Sequence, residues 1–185
     1  MSQSASLEVW LRGPVPGVPA LLQPVAHALL QACEELAAAL ADFRPALLNE
    51  RPGGRASVGF HLQHLAGVLD RTFTYARGEA LSPAQLAALA EESEPLAPDA
   101  ETMGELLRRF NQQVDCALAQ LRNTEFASLV EPRGVGRAQV PSTVIGLLVH
   151  AAEHTTRHLG QLLVTAQWVQ ATRSTTLLNE PPLNL

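Results

Sequence analysis

The sequence predicts an all-α protein, a four-helix bundle. Three observations carry that expectation. Four stretches of about 20 residues or more repeat apolar side chains at three- and four-residue steps, capping and helix-breaking residues punctuate their ends, and no segment shows a convincing strand pattern. Helices with one apolar stripe bury it against one another, and a bundle is the economical way to do so. A chain of 185 residues with 46% hydrophobic content suits a single domain over 1–185.

The elements follow in order. Residues 1–18 are expected to form an extended arm packed on the body, because Gly13-Pro14-Val15-Pro16-Gly17-Val18-Pro19 interrupts helix too often. The first helix is expected over residues 20–43, where Leu22, Val25, Leu29, Leu36 and Leu40 keep helical spacing in an alanine-rich segment. Pro24 falls in its first turn, where proline is tolerated. After a turn at Arg51-Pro52-Gly53-Gly54, Ser57 caps a second helix that carries His61, His64, Leu65, Val68, Leu69 and Phe73 and stops at Arg77-Gly78. Ser82-Pro83-Ala84-Gln85 starts a short extra helix reaching about Glu92, and the acidic stretch 91–98 reads as a surface connection. This whole connection is long for a hairpin and suits a crossover between parallel neighbours. Asp99 caps a third long helix with Met103, Leu106, Leu107, Phe110, Val114, Leu118 and Leu121, ending near Asn123. Gly134 and Gly136 mark a loop, Pro141-Ser142-Thr143 opens a fourth long helix reaching Thr172, and 173–185 is left as a C-terminal tail.

The net charge of -5 and pI near 5.6 supply no electrostatic footprint for nucleic acid or an anionic membrane. All 13 basic residues are arginine, scattered without a patch, which reads as compositional bias. Cys33 and Cys116 sit inside helical patterns and read as small core residues, not as a disulfide framework. Met1 to Trp10 lacks a signal-peptide pattern, and no apolar run approaches the roughly 20 residues of a membrane span. A cytoplasmic protein is the expectation.

Chemistry is concentrated in the histidines. His150, His154 and His158 recur every fourth residue, so a helix holds all three imidazoles on one face. His61 and His64 form a second cluster, and five of the six histidines therefore lie in two short windows. Imidazole is a common ligand for zinc, nickel and iron, and an i, i+4 pair offers two nitrogens to one ion. His154 and His158, joined by a third nitrogen from the second helix, make a three-histidine site with open coordination positions, the pattern of a catalytic rather than a structural metal. His64 is the candidate, although His61 lies three residues away on the same face and spacing alone leaves both open. His150 is a candidate ligand, support or proton carrier, and His61 shares the proton-carrying role. Glu153 and Arg157 read as solvated or interface side chains and not as catalytic ones. The zinc-protease motif is excluded, because Ala151 and Thr155, not glutamate, follow the first histidines of the two pairs. Asp70-Arg71 reads as a surface ion pair or a substrate-orienting group, Tyr75 as core packing or a donor, Gln161 as ligand support or packing, and Trp168 as a core or dimer-contact residue.

His154-x-x-x-His158-x-Gly160-Gln161, with His150 one turn earlier and His64-Leu65-Ala66 upstream, resembles the DinB/YfiT superfamily of metal-dependent hydrolases and thiol S-transferases, from about Ala20 to Trp168. The resemblance implies an up-down-down-up bundle, often a homodimer, with zinc or nickel on His64, His154 and His158. Many relatives have arginine after the last ligand, where Leu159 stands here. It further implies a small-molecule substrate, and characterised relatives transfer groups to low-molecular-weight thiols such as bacillithiol, mycothiol or glutathione. Metal-dependent hydrolysis is the nearest alternative chemistry, and a non-catalytic metal or small-ligand binding protein linked to stress is the alternative of another class. DNA association is disfavoured by the acidic balance.

Overall fold

The computed structural model describes residues 7–178; residues 1–6 of the expected arm and 179–185 of the expected tail lie outside the described residues. Four long helices, α1 (Gln23–Leu40), α2 (Val58–Ala76), α4 (Ala100–Arg122) and α5 (Val144–Leu178), form the body. The short α3 (Pro83–Glu91) lies between α2 and α4. Helix α2 packs along α5 and α4, and α1 packs along the same two, so α1 stands opposite α2 and α4 opposite α5. The most extensive of these interfaces joins α2 to α5, the two helices that carry the histidine windows.

Local chemistry starts α2, α3 and α4 where the caps predict. Ser57 Oγ accepts from the Phe60 amide at 3.1 Å ahead of α2, and Asp99 Oδ1 accepts from the Thr102 amide at 2.7 Å ahead of α4. Ser82 and Gln85 complete a reciprocal capping box on α3. Helix α2 stops at Ala76, and Gly78 just beyond its C-cap has a φ of 78°, in the left-handed region that favours glycine. On α1 the buried residues Val25, Leu29, Ala32, Leu36 and Leu40 follow a three- and four-residue step. They meet Leu62, Leu65, Leu69, Phe110, Leu148 and Leu162 in one contiguous core. At about 1.5–3 kcal/mol for each large apolar side chain removed from water, this core dominates the favourable side of folding.

The arm is held by specific contacts. Val9 and Val18 are buried, the Val9 amide donates to Gln31 Oε1 at 2.9 Å, and Arg12 forks onto both Glu34 oxygens at 2.6 and 2.7 Å. It is not wholly extended, since 3-10 turns occupy Val9–Arg12 and Ala20–Leu22, and α1 starts at Gln23.

Several expectations are corrected. An antiparallel hairpin of β1 (Pro132–Val135) and β2 (Val140–Thr143) fills the expected loop, with Pro132 opposite Thr143 and Val135 opposite Val140. Strands of four residues with half-exposed faces leave no period-two pattern to read. Helix α5 continues to Leu178, six residues past Thr172, so the start of the expected tail is helical. Cys116 is exposed and so is not a core residue, whereas Cys33 is partly buried and packs against the core. Trp168 is 62% exposed and cannot be a core residue. No helix among the described residues is long and apolar enough to cross a membrane.

Candidate metal centre

The α2 and α5 contact brings together residues about ninety positions apart. Inward-facing Leu62, Leu65 and Leu69 fix the rotation of α2, and Leu148, Ala151, Thr155 and Leu162 fix that of α5. His61 and His64 are thereby turned toward His154 and His158. One nitrogen from each of His64, His154 and His158 lies within 4.8 Å of the others, a grouping able to hold a metal ion. The His64 ring centroid is 4.4 Å from that of His158 and 5.2 Å from that of His154, and the last two are 4.5 Å apart. Nε2 of His64 and Nε2 of His154 approach to 2.9 Å. Phe60 stacks on the outer face of His64, with ring planes 12° apart.

Further side chains brace this trio. His61 is almost fully buried and shares a 3.1 Å hydrogen bond between its Nδ1 and His158 Nδ1. Nδ1 of His64 lies 2.8 Å from Glu92 Oε2, and the other oxygen of Glu92 accepts from Arg71 Nη1 at 2.5 Å. A carboxylate only accepts, so His64 Nδ1 carries the hydrogen, and in the neutral ring that arrangement leaves the lone pair on Nε2. His154 Nδ1 is buried and without a hydrogen-bond partner, as is Thr155 Oγ1.

The electrostatics favour neutral rings. Burial above all, reinforced by the neighbouring imidazoles, pushes His61 and His154 down to about 4, and His158 moves in the same direction. Uncharged imidazoles keep the lone pairs a cation needs. Burial drives the Glu92 carboxyl upward, but hydrogen bonds from His64 and Arg71 together with the Arg71 charge outweigh it, and Glu92 stays below its ordinary range.

A sequence model of the DinB superfamily matches residues 24–162. The chain belongs to the DinB superfamily. The match runs from the first turn of α1 into α5, covers both histidine windows and closes just after Gln161. A search of curated proteins finds no match to this DinB protein.

The donor set of this DinB protein fits a divalent ion: three imidazoles converge, and one has its second nitrogen committed to a carboxylate. Of the two histidines on α2, His64 joins the trio and His61 lies against His158. His150 flanks the trio, its ring 5.3 Å from that of His154 and its Nδ1 3.2 Å from Glu153. Glu153 and Arg157 are exposed, as expected of solvated side chains, and they pair with each other. Gln161 is exposed, so it neither braces a ligand nor packs between helices. Tyr75 lines a separate groove of about 590 Å3 with Leu81, Leu86, Arg133 and Arg137. That groove lies about 16 Å along α2 from His64, at 1.5 Å per residue, so it is separate from the histidine site.

Sequence reasoning missed Glu92 and misread Arg71. The segment after α3 reads as a surface connection, yet Glu92 is 6% exposed and Arg71 8% exposed, and they pair with each other behind His64. Nothing in Glu91-Glu92-Ser93-Glu94 singles out one glutamate. The missing signal is three-dimensional.

Proposed function

We propose that this DinB protein is an enzyme that binds one divalent ion, zinc or nickel, on His64, His154 and His158 and transfers a group to or from a low-molecular-weight thiol. The single observation that carries the reading is the convergence of three imidazoles on one point, with a buried carboxylate behind one of them. Three protein ligands leave coordination positions for a substrate. A bound ion supplies Lewis acidity, which makes a thiol or a water in an open position acidic enough to act as a nucleophile near neutral pH.

The chain's own residues supply the rest. Glu92 and His61 orient His64 and His158 by hydrogen bonds to their Nδ1 atoms. Phe60 covers the outer face of His64 and limits water there. His150 is half exposed and beside His154, a placement suited to carrying a proton between the site and solvent. The same placement supports hydrolysis as the second reading, with water in place of the thiol. A homodimer, as the family resemblance implies, is part of the proposal, with exposed Val164 and Trp168 of α5 as apolar surface to cover.

Elemental analysis of the purified, untagged protein beside a His154→Ala, His158→Ala double variant tests the core of this reading. Near-stoichiometric zinc or nickel is expected in the native chain and none in the variant, followed by metal-dependent consumption of a thiol in a transfer assay. No metal in either chain, even after incubation with zinc and nickel salts, overturns the reading.

A further inference from the structure

We propose that Gly67, Arg71 and Glu92 form a clasp that fixes His64 in its Nδ1–H tautomer and so presents Nε2 to His154 and His158. Its purpose rests on the metal reading above; its geometry does not. Glu92 is buried while its neighbours Glu91, Ser93 and Glu94 are exposed, so one carboxylate of an acidic run is drawn into the molecule. Both oxygens are used, Oε2 by His64 Nδ1 at 2.8 Å and Oε1 by Arg71 Nη1 at 2.5 Å. Its main chain is pinned as well, because Gln63 Nε2 donates to the Glu92 carbonyl at 3.2 Å. The end of α3 is thus fastened to α2 at the level of the site.

Gly67 makes the clasp possible. A Cβ at this position lies 2.2 Å from Glu92 Oε1 and 2.6 Å from Arg71 Nη1, far inside van der Waals contact. Its backbone is ordinary helix, so no turn or left-handed conformation calls for glycine. A glycine within a helix weakens it relative to alanine. Here the absence of a side chain is what lets the carboxylate and guanidinium lie against the helix one turn beyond His64. The colliding atoms are the far ends of flexible side chains, so alanine displaces the pair without obstructing the fold.

The tautomer matters because a metal ligand must offer a lone pair. Arg71 holds one oxygen of Glu92 and leaves the other as a pure acceptor, which obliges His64 Nδ1 to donate. A structural ion pair alone makes no demand on the His64 proton. Two variants separate these roles. In Glu92→Gln the amide oxygen stays on Arg71 and the amide NH2 faces Nδ1, donating where the carboxylate accepted, so His64 turns over to Nε2–H. Gly67→Ala keeps every functional group and moves the pair away.

The experiment is 15N spectroscopy of the histidine rings in the metal-free native chain and both variants, with zinc affinity measured by competition against a chromophoric chelator and helix content by circular dichroism. A native His64 in the Nδ1–H form, lost in both variants while helix content stays, is expected, together with zinc affinity lower by about 10- to 100-fold. Variants that keep the Nδ1–H form and the native zinc affinity overturn the clasp. A native chain that takes up no zinc overturns the metal reading instead, and the ring spectra still decide the clasp: a native His64 that is mixed or Nε2–H overturns it.

Discussion

Crowding the imidazoles gives the protein a defined response to acid. His61 and His154 fall from an ordinary value of 6.5 to about 4, because burial and the neighbouring rings disfavour the charged form. Between those values the unfolded chain binds protons that the folded chain refuses, so the folded state is favoured above about pH 6.5 and loses that advantage as pH falls toward 4. Below both values the contribution is gone. Acid also protonates carboxylates, so the informative quantity is the difference between the native chain and His61→Leu, which removes a buried imidazole and leaves the trio in place. The urea midpoint of the native chain should fall more than that of the variant, both metal-free, as pH drops from about 7.5 to about 4.5, because the variant has no imidazole at position 61 to protonate. Parallel curves would contradict a neutral, buried His61. Residue by residue, the sequence gathered five histidines into two windows and left open whether His61 or His64 stands nearer the α5 pair. The structure groups His64 with His154 and His158 and sets His61 Nδ1 3.1 Å from His158 Nδ1, an arrangement that depends on the relative rotation of two helices, which spacing along one chain does not encode.

At the level of elements, legibility follows the range of the forces involved. The starts of α2, α3 and α4 were readable because a cap acts over three residues: Ser57 on Phe60, Ser82 on Gln85 and Asp99 on Thr102. The apolar faces of α1 and α4 were readable because burial imposes the helical period on the sequence itself. The hairpin was not, since its stability comes from pairing Pro132–Val135 with Val140–Thr143 and from docking on the bundle, neither of which leaves a mark on four residues. The connection after α3 was misread for the same reason, its buried glutamate being chosen by Arg71 and His64 and not by its neighbours in sequence. The α2 cap lies four residues ahead of His61, so its loss tests how firmly the first turn holds the site. Ser57→Ala should lower stability by about 1 kcal/mol in a denaturant titration. Because Leu62 and Leu65 anchor the next turn in the core, zinc affinity should fall by less than about threefold, well short of the loss expected from removing a group that braces a ligand directly. A tenfold or greater loss would show that the first turn of α2, and not the core behind it, positions His64.

For the whole molecule, the proposed metal site joins distant parts of the chain. His64 and His154 are 90 residues apart and sit on the two helices with the most extensive mutual interface, so an ion shared between them ties α2 to α5 in the folded state alone. The unfolded chain retains only the i, i+4 pair of His154 and His158, a much poorer chelate once helix is lost. Binding to the folded state therefore stabilises it by mass action: at free metal about 100-fold above the dissociation constant the gain is about 2.7 kcal/mol. For a chain of 185 residues each kcal/mol moves the melting temperature by about 2–4 °C, so saturating zinc or nickel should raise it by about 5–10 °C. The rise should be reversed by a chelator and absent from the His154→Ala, His158→Ala variant. The three single variants His64→Ala, His154→Ala and His158→Ala should each abolish most of it, because two imidazoles on one helix no longer bridge α2 and α5, and one from each helix is a bidentate site open to water. A full shift surviving in His64→Ala would locate the ion on α5 alone and remove the cross-link, and with it the reason for a carboxylate to be buried behind α2.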